Sequence, residues 1–493
     1  MAKISVLFAA SEVAPFAKVG GLADVSGSLP KALSRLGVDV RVVMPKYKDI
    51  SKKYLDKMEY MMHFFVDIGW RHQYVGIFRY ISDNVTYYFI DNAYYFGRKG
   101  LYGHFDECEQ FTFFTRAFIE MLPIIKFKPD IMHLNDWQTA MAPIFLKDIY
   151  KSNDFYKNMK TMYTIHNLKY QGIFSKSVID DILGLGWEYF KASGIEFYGN
   201  VNLMKAGIIY SDYVNTVSPT YAKEVLSAQL GEKLDSVLAE KGDRFFGILN
   251  GIDNDLFNPA TDKSIYQNYD KESLSLKAKN KIGLIDELGF SQDYQAPLIG
   301  IVSRLVDQKG FDLIADCLED ILKDGIRLVV LGTGDAKYEE LFMTYSNKYP
   351  DRLIFMNIFN PDMAQKIYAG ADMFLMPSYF EPCGLSQLIS LRYGTIPIVR
   401  ETGGLKDTVI PYNEYDDTGH GFSFTNYNSQ DMLFTIRHAV RIFNNRSTWE
   451  KLIQRAVTLD FSWDTSAQKY LECYFKAGGE NNNAENDNEY KRS

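Results

Sequence analysis

Short apolar runs alternate with amphipathic segments along most of the chain. Examples of the runs are VDVRVVMP, DIMHLN, TMYTIH, LIGIVSR, RLVVLG and TIPIVR, and nearly all are continuously apolar. Continuous apolar runs are typical of parallel strands that are buried on both faces. Segments such as LADVSGSLPKALSRLG and FDLIADCLEDILKDG lie between the runs and predict amphipathic helices. The pattern therefore predicts an α/β fold built from doubly wound parallel sheets.

The chain has 493 residues, which is too long for one ordinary core, so we expect two domains. A cluster of Gly, Asn, Asp and Pro in GILNGIDNDLFNP predicts a boundary, with a first domain over 1–248 and a second over 249–456. Residues 457–477 contain an apolar stripe and predict a last helix. The tail, 478–493, has almost no apolar residue and is predicted to be disordered.

Composition and charge exclude several function classes. The formal net charge is -8, which argues against a general nucleic-acid binder or a binder of anionic membranes. No apolar stretch approaches the roughly 20 residues that span a bilayer. The four cysteines are far apart and form no CxxC pair, so a disulfide framework or structural zinc site is not expected and a reducing compartment fits. No signal peptide is visible, and we expect a cytoplasmic protein.

The first strand leads into a loop with a cation and a glycine pair. Lys18 precedes Gly20 and Gly21, and a predicted helix follows. Glycines let the backbone approach a ligand, while a helix start offers free N–H groups and the positive end of the helix dipole. We interpret this loop as an anion site, although glycine pairs before helices also occur where only a turn is needed. It is not a dinucleotide fingerprint, since no G-x-G-x-x-G is present.

The second half carries similar features after its own strands. Arg304 stands at a strand end and Lys309 precedes the next helix, so the two are either solvated surface charges or a diphosphate site. Glu381 precedes a proline, which favours an extended backbone there. Next in the chain, Cys383, Gly384 and Leu385 are expected to open a helix, and Gly403 and Gly404 repeat the glycine pair before a further helix.

Six motifs in order identify a family resemblance. They are KVGGLADV, HLNDWQT, TIHNLKYQG, ILNGID, SRLVDQKG and EPCGLSQL…TGGLKDTV, and a terminal FSWD…Y segment follows them. Together they resemble the bacterial glycogen synthases and starch synthases, which are retaining GT-B glycosyltransferases. The resemblance implies two Rossmann-like domains facing across a deep cleft, with the last helix crossing back to the first domain. It also implies ADP-glucose as donor and glycogen or another α-1,4-glucan as acceptor.

The resemblance also implies roles for individual residues. Five match catalytic positions: Glu381, His166, Asp136, Arg304 and Lys309. The donor-binding set comprises Lys18, Gly20, Gly21, Asn250, Arg304, Lys309, Cys383, Gly384, Leu385, Gly403 and Gly404. The acceptor side comprises Asp24, Tyr102, Asp136, Trp137 and Asn167. Fixed cations on the leaving diphosphate suit a reaction without a metal or other cofactor.

Three details bear on this interpretation. The DND sequence at 253–255 mimics a metal-binding DxD, but we interpret it as part of a turn. Phe359 stands where many bacterial members have a tyrosine near the nucleotide, which leaves a UDP-sugar donor as an alternative. A catalytically silent glucan-binding protein on the same fold is the other alternative, and the retention of Lys18, Arg304 and Glu381 argues against it.

Overall fold

The computed structural model describes residues 4–489, which divide into two compact units. The first unit contains residues up to 217, then 222–250, and then the last helix from 463 onward. The second unit contains 218–221 and 251–462. The sequence analysis set the corresponding boundaries at 248/249 and 456/457, within a few residues of these positions.

The first unit is built on a nine-stranded sheet with the order β12-β11-β7-β6-β1-β2-β5-β4-β3, beside a small sheet with the order β8-β10-β9. The strands are β1 Ser5–Ala9, β2 Asp39–Pro45, β3 Glu59–Ile68, β4 Arg71–Ser82, β5 Val85–Asp91, β6 Ile131–Asn135, β7 Lys160–Ile165, β8 Ile173–Ser175, β9 Glu196–Phe197, β10 Asn200–Asn202, β11 Tyr213–Thr216 and β12 Phe245–Gly247.

The second unit has one six-stranded sheet with the order β15-β14-β13-β16-β17-β18. All of its strand pairs are parallel. The strands are β13 Leu298–Val302, β14 Arg327–Leu331, β15 Leu353–Met356, β16 Met373–Met376, β17 Ile396–Arg400 and β18 Phe422–Phe424.

Helices connect the strands and cover the sheets. The α-helices are α1 Gly21–Arg35, α2 Lys52–Leu55, α3 Ala93–Phe96, α4 Glu107–Ile124, α5 Ala142–Lys147, α6 Leu203–Tyr210, α7 Pro219–Glu224, α8 Asp235–Ala239, α9 Lys277–Leu288, α10 Phe311–Lys323, α11 Ala336–Lys348, α12 Pro361–Gly370, α13 Ser386–Arg392, α14 Gly403–Thr408, α15 Ser429–Phe443, α16 Arg446–Val457 and α17 Trp463–Glu489. Short 3₁₀ turns lie at Trp137–Thr139, Trp187–Tyr189, Gly242–Arg244, Leu274–Leu276 and Asp307–Lys309, and a π-helical turn at Ile179–Leu183.

The apolar runs became buried parallel strands, as predicted. In β1 the four residues Val6 to Ala9 are completely buried, and β1 pairs in parallel with β2 on one side and β6 on the other. A strand flanked in this way has no solvent face, which is why its run is continuously apolar. The prediction of doubly wound parallel sheets is confirmed in both units.

One part of the first sheet is antiparallel. β4 pairs with β3 and β5 as a meander, and β5 rejoins the parallel sheet beside β2. The sequence between β4 and β5 contains Asp83 and Asn84, both at positive φ, as a two-residue hairpin turn requires. The meander extends one edge of the main sheet.

The last helix, α17, completes the first unit through buried polar contacts. His133 on β6 bonds through Nδ1 to the Tyr474 hydroxyl at 2.6 Å and through Nε2 to Thr164 Oγ1 at 2.7 Å. Thr164 donates to Asn215 Oδ1 at 2.6 Å, and Asn215 Nδ2 donates to the Tyr470 hydroxyl at 3.2 Å. These bonds dock the helix on three neighbouring strands of the sheet.

The bounds of the last helix differ from the prediction. It begins at Trp463 rather than at 457, because Val457 ends α16 and an irregular segment separates the two helices. It continues to Glu489, beyond the predicted end at 477, and the sequence from 463 to 489 contains no proline that would stop it. Residues 490–493 of the predicted disordered tail lie outside the described residues.

Two further features concern composition. Within residues 4–489, no helix is both long and apolar enough to cross a membrane. None of the four cysteines, all of which the structure describes, forms a disulfide, and Cys108, Cys317 and Cys383 are buried.

Candidate active site

A carboxylate holds the loop between β1 and α1 from inside. Glu12 Oε2 accepts hydrogen bonds from the N–H of Val19 at 2.5 Å and of Gly20 at 2.9 Å, while Oε1 accepts one from the Tyr102 hydroxyl at 3.1 Å. Glu12 is only 5% exposed. The sequence predicted a loop open to an external anion, but the carboxylate of Glu12 takes two of its amides.

Lys18 projects from the same loop toward solvent. Its Nζ lies 2.6 Å from Asp24 Oδ1 in the first turn of α1, and the two side chains are 47% and 21% exposed. Ion pairs this exposed contribute about 0–1 kcal/mol. The resemblance assigns Lys18 to the donor and Asp24 to the acceptor. Because their ion pair is weak, either side chain can leave it and bind a ligand at little cost in free energy.

The ends of β6 and β7 bring Asp136 and His166 together. The two strands are parallel neighbours, so the residues that follow them meet at one edge of the sheet. Asp136 Oδ1 accepts the backbone N–H of His166 at 2.8 Å. Asp136 itself has φ 53° and ψ −178°, a sparsely populated conformation for a residue with a side chain. Such strain is typical of functional positions and costs about 1–3 kcal/mol.

Asn135 fixes the tautomer of His166. Asn135 Nδ2 donates to the carbonyl of Ala9 at 3.0 Å, which leaves Asn135 Oδ1 facing His166 Nε2 at 2.9 Å. An amide oxygen only accepts, so His166 carries its proton on Nε2 and presents Nδ1 as an acceptor. Burial lowers the pKa of His166 to about 3, so the imidazole is neutral at physiological pH.

Asp136 titrates in the physiological range. Burial raises its pKa to about 7, and the negative charge of Glu12 adds to the rise, while hydrogen bonds from the backbone of His166 and Asn167 oppose it. A carboxyl group with this pKa is present in both protonation states near neutral pH, as general acid–base groups require.

Three other predicted residues of the first unit lie near Asp136 and His166 and have structural contacts of their own. Tyr102 bonds to Ser11 Oγ at 2.8 Å as well as to Glu12, and burial together with the charge of Glu12 raises its pKa. Trp137 is 7% exposed, and its ring packs edge-on against Phe111 with 5.2 Å between centroids, so it backs the Asp136 turn from the interior. Asn167 Oδ1 accepts the N–H of Lys169 at 3.0 Å and shapes its own turn.

In the second unit the structure joins two predicted residues directly. Lys309 Nζ lies 2.5 Å from Glu381 Oε2, with side chains 19% and 8% exposed, and Ser378 Oγ donates to the same oxygen at 3.2 Å. The two residues are 72 positions apart, and Tyr379 N–H to the Gln308 carbonyl, at 2.9 Å, ties their loops together. Arg304 follows β13 and is exposed.

The loop after Glu381 is packed against the glycine pair at 403–404. A Cβ on Gly403 would lie 1.9 Å from the Glu381 carbonyl oxygen, and one on Gly404 would lie 2.1 Å from the Cys383 carbonyl oxygen. The amide of Gly404 donates to the Glu381 and Pro382 carbonyls, both at 3.2 Å. The glycines are therefore needed so that two strand-end loops can touch.

The helix expected at Cys383 begins three residues later. α13 starts at Ser386 with Leu385 at its N-cap, and Gly384 stands at φ 74° in the preceding turn. Gln387 Nε2 donates to the Cys383 carbonyl at 3.0 Å and the Gly384 carbonyl at 2.9 Å, so a side chain of the helix folds back on the turn. The Gln387 side chain thus occupies the carbonyls of Cys383 and Gly384, and these two residues stay in a turn before the helix.

Two residues near the boundary of the units complete the predicted set. Asn250 is 5% exposed, and its Oδ1 accepts no hydrogen bond from any described group. Such an orphan acceptor costs about 1–3 kcal/mol, which a ligand donor would relieve. Asp253 Oδ1 accepts the N–H of Asp255 at 2.9 Å and of Leu256 at 3.1 Å, as an Asx turn does, which gives DND a local role. No group of three or more potential metal ligands occurs among the described residues.

The sequence analysis missed Glu12, Asn135 and Ser378. Asn135 was visible as the polar last residue of an apolar run, the position where strand-end chemistry lies. Glu12 lies within the same strand-to-helix segment as Lys18, and a glutamate in an otherwise apolar stretch before a Gly-Gly loop was a usable signal. Ser378 carried none, since serine is common in turns.

Two protein families match the chain. Residues 5–240 match the starch synthase catalytic domain, and residues 290–456 match the glycosyl transferases group 1. The glycogen synthase of Clostridium novyi (strain NT) is 50% identical over 96% of this chain and 98% of its own length. That of Clostridioides difficile (strain 630) is 49% identical over 96% and 99% of the two chains.

Solved structures agree with the sequence matches. The catalytic domain of starch synthase IV from Arabidopsis thaliana, determined with ADP and acarbose bound, aligns with a TM-score of 0.91 and 33% identity over 97% of this chain and 100% of that one. Sucrose-phosphate synthase from Thermosynechococcus elongatus aligns with a TM-score of 0.61 at 16% identity over 96% and 99% of the two chains, a likeness of fold alone.

Proposed function

The chain belongs to the glycogen synthase and starch synthase family of GT-B glycosyltransferases, and we propose that it transfers glucose from ADP-glucose to the non-reducing end of an α-1,4-glucan with retention of configuration. ADP is the nucleotide bound to the related starch synthase, which supports the adenine nucleotide as donor. None of the four described cysteines forms a disulfide, which supports a reducing compartment such as the cytoplasm.

The observation that carries the proposal is the ion pair between Lys309 and Glu381 at a strand-end loop, with Arg304 exposed on the same strand end. A cation and a carboxylate held 2.5 Å apart suit a bond that breaks into an anion and a cation-like carbon. The cations stabilise the diphosphate as it leaves, and the carboxylate opposes the positive charge that develops at the anomeric carbon.

In the proposed reaction the bond between the anomeric carbon and the phosphate oxygen breaks while a bond to the acceptor O4 forms on the same face. The proton of the acceptor hydroxyl passes to the leaving phosphate, so the products are the extended glucan and ADP. The charge stabilisation comes from Arg304, Lys309 and Lys18, and we propose that no divalent ion takes part.

The first unit contributes groups of defined protonation. His166 is neutral, with its proton fixed on Nε2, so it acts through hydrogen bonds and adds no charge. Asp136 offers a carboxyl group that changes charge near neutral pH, which suits contact with acceptor hydroxyls. Lys18 is exposed and bound only by Asp24 among the ion pairs of the described residues.

A nucleotide-release assay tests the proposal. The purified chain is incubated with glycogen and either ADP-glucose or UDP-glucose, and the released ADP or UDP is measured with the linkage of the product determined by NMR. We expect ADP release and a new α-1,4 linkage. Preferential UDP release would show that UDP-glucose is the donor. Phe359, whose side chain is 85% exposed, would then be the first residue to examine. Glucan binding without release of either nucleotide would show that the chain is a glucan-binding protein without catalytic activity.

A further inference from the structure

We propose that Glu12 is a positioning residue of the donor site: its carboxylate fixes the backbone of the loop that carries Lys18, and so sets where that cation stands. The inference rests on the proposed function, since it assumes that Lys18 meets the donor. Neither the six family motifs nor the residues they assign include Glu12.

The two carboxylate oxygens of Glu12 have different partners. Oε2 takes both loop amides, Val19 at 2.5 Å and Gly20 at 2.9 Å, while Oε1 faces the Tyr102 hydroxyl at 3.1 Å. Hydrogen bonds to an ionised acceptor are roughly twice as strong as neutral ones. Phe16, earlier in the loop, is buried, but Lys18 and Val19 are exposed, so the end of the loop that carries the lysine has little packing to define its path. The hydrogen bonds to Glu12 therefore define it.

Glu12 bonds to the two residues that lead into α1, Val19 and Gly20, and not to the N–H groups of its first turn. Gly20 is the N-cap residue of α1 and has no side chain to accept an N–H. The Glu12 side chain lies beside this N-terminus, where the helix dipole favours negative charge. A loop with glycine at the cap and no internal acceptor would be free to wrap around a phosphate, as Gly-rich loops do. Because Glu12 fills that place, the loop offers a ligand its lysine and not the amides of Val19 and Gly20.

The carboxylate is itself immobilised. Tyr102 is held by Ser11 Oγ at 2.8 Å, and the Tyr47 hydroxyl donates to the Ser11 carbonyl at 2.8 Å. Glu12 thus lies three residues beyond β1, where Ser11, Tyr47 and Tyr102 hold it, and its carboxylate ties the end of the loop to this support. A site placed on a locked support holds its geometry better than one left to a free loop.

Three substitutions of Glu12 distinguish the length of its side chain from its negative charge. Glu12→Gln keeps an acceptor oxygen at the same distance and removes the charge, whereas Glu12→Asp keeps the charge and withdraws it by one methylene. Glu12→Ala removes both. The control is Glu120→Gln on α4, which also neutralises a partly buried glutamate that accepts a tyrosine hydroxyl, that of Tyr150 at 2.5 Å.

The first measurement is amide hydrogen exchange of the segment 17–22, which does not depend on any activity. We expect exchange at Val19 and Gly20 to accelerate at least about tenfold in Glu12→Ala and Glu12→Asp, as the loss of a charged hydrogen bond implies. Glu12→Gln, which keeps the acceptor but loses its charge, should accelerate exchange less than either, and Glu120→Gln should retain full protection. Unchanged exchange in the alanine and aspartate variants would overturn the proposal whatever the enzyme's substrates are.

The second measurement is the donor KM and kcat with glycogen as acceptor. We expect the donor KM to rise about tenfold or more in Glu12→Ala and Glu12→Asp, and to stay within about threefold of wild type in Glu12→Gln. Accelerated exchange with an unchanged donor KM would show that the loop does not position a donor contact and would overturn the proposal. An absence of transfer by the wild-type protein, with exchange as expected, would instead refute the proposed function.

Discussion

Replacing Asp136 by asparagine is expected to stabilise the protein at alkaline pH. The folded-state pKa of Asp136 is about 7, against an ordinary value of 3.8, because burial and the charge of Glu12 disfavour its ionised form. An ionised Asp136 therefore costs the folded state free energy that the unfolded chain does not lose. Asparagine keeps the acceptor for the His166 N–H, and it tolerates positive φ at least as well as aspartate.

The expected gain in the free energy of unfolding follows from the pKa shift of Asp136. About three pKa units correspond to about 4 kcal/mol once the pH is above the folded-state pKa. At pH 5 the folded carboxyl is protonated and the unfolded one is largely ionised, so the expected gain is smaller, about 1.5 kcal/mol. Near pH 3 both states are protonated and the gain vanishes. The stability difference between Asp136→Asn and wild type should thus grow as the pH rises from 4 to 8.

The histidines do not obscure this difference. Burial lowers the folded-state pKa of His133 and of His166 to about 3, so both reduce stability as the pH falls below about 6.5. The contribution of His133 cancels in the subtraction. That of His166, which bonds to Asp136, cancels as long as asparagine keeps the acceptor for its backbone N–H.

Urea denaturation followed by tryptophan fluorescence supplies the measurement. Four of the five tryptophans lie in the first unit, so the signal reports mainly on that unit: Trp70, Trp137, Trp187 and Trp463. The control is Asp243→Asn, which removes an exposed carboxylate of the same unit. A gain for Asp136→Asn that is the same at pH 5 and pH 8, or a gain that the control reproduces, would refute the assignment of a raised pKa.

Three further outcomes are expected. Lys18→Ala should raise the donor KM by about tenfold to a hundredfold and leave the thermal midpoint within a few degrees, because its 47% exposed ion pair stabilises the fold little; an unchanged KM would remove it from the donor site. Glu381→Gln, which keeps an acceptor for Lys309, should lower kcat at least about a hundredfold with donor affinity retained in calorimetry, and near wild-type kcat would exclude its role. Excess EDTA should leave most turnover intact, whereas a loss that Mg²⁺ restores would mean that a metal takes part.

Strand ends were the part of the site that the sequence predicted best. Continuous apolar runs identify buried parallel strands, and ligands of open α/β sheets bind beyond their carboxyl ends. The resemblance assigned Asp136 and His166, and both follow such strands. Their contact is a consequence of the parallel pairing of β6 and β7, which the topology dictates.

Contacts made by irregular loops were not predictable in the same way. The pairing of Glu12 with two amides depends on the exact path of seven or eight residues of loop, for which no periodicity exists. The pairing of Lys309 with Glu381 joins loops 72 residues apart. The start of α13 was misplaced because Gln387 folds back on Cys383, and nothing local distinguishes such a bond from a helix start.

The buried bonds between His133 and Tyr474 have a consequence for biosynthesis. These residues are 341 positions apart, and both belong to the first unit. At roughly 5–20 residues per second, a ribosome needs roughly ten to forty-five seconds to pass from residue 250 to residue 474. Throughout that interval His133 and Asn215 stand at an uncovered flank of the nascent sheet, without the tyrosines that later seal it. Because α17 is translated after the whole second unit, its docking is a late step in the folding of the first unit, and a nascent chain that ends before it leaves this part of the sheet uncovered for chaperones to recognise.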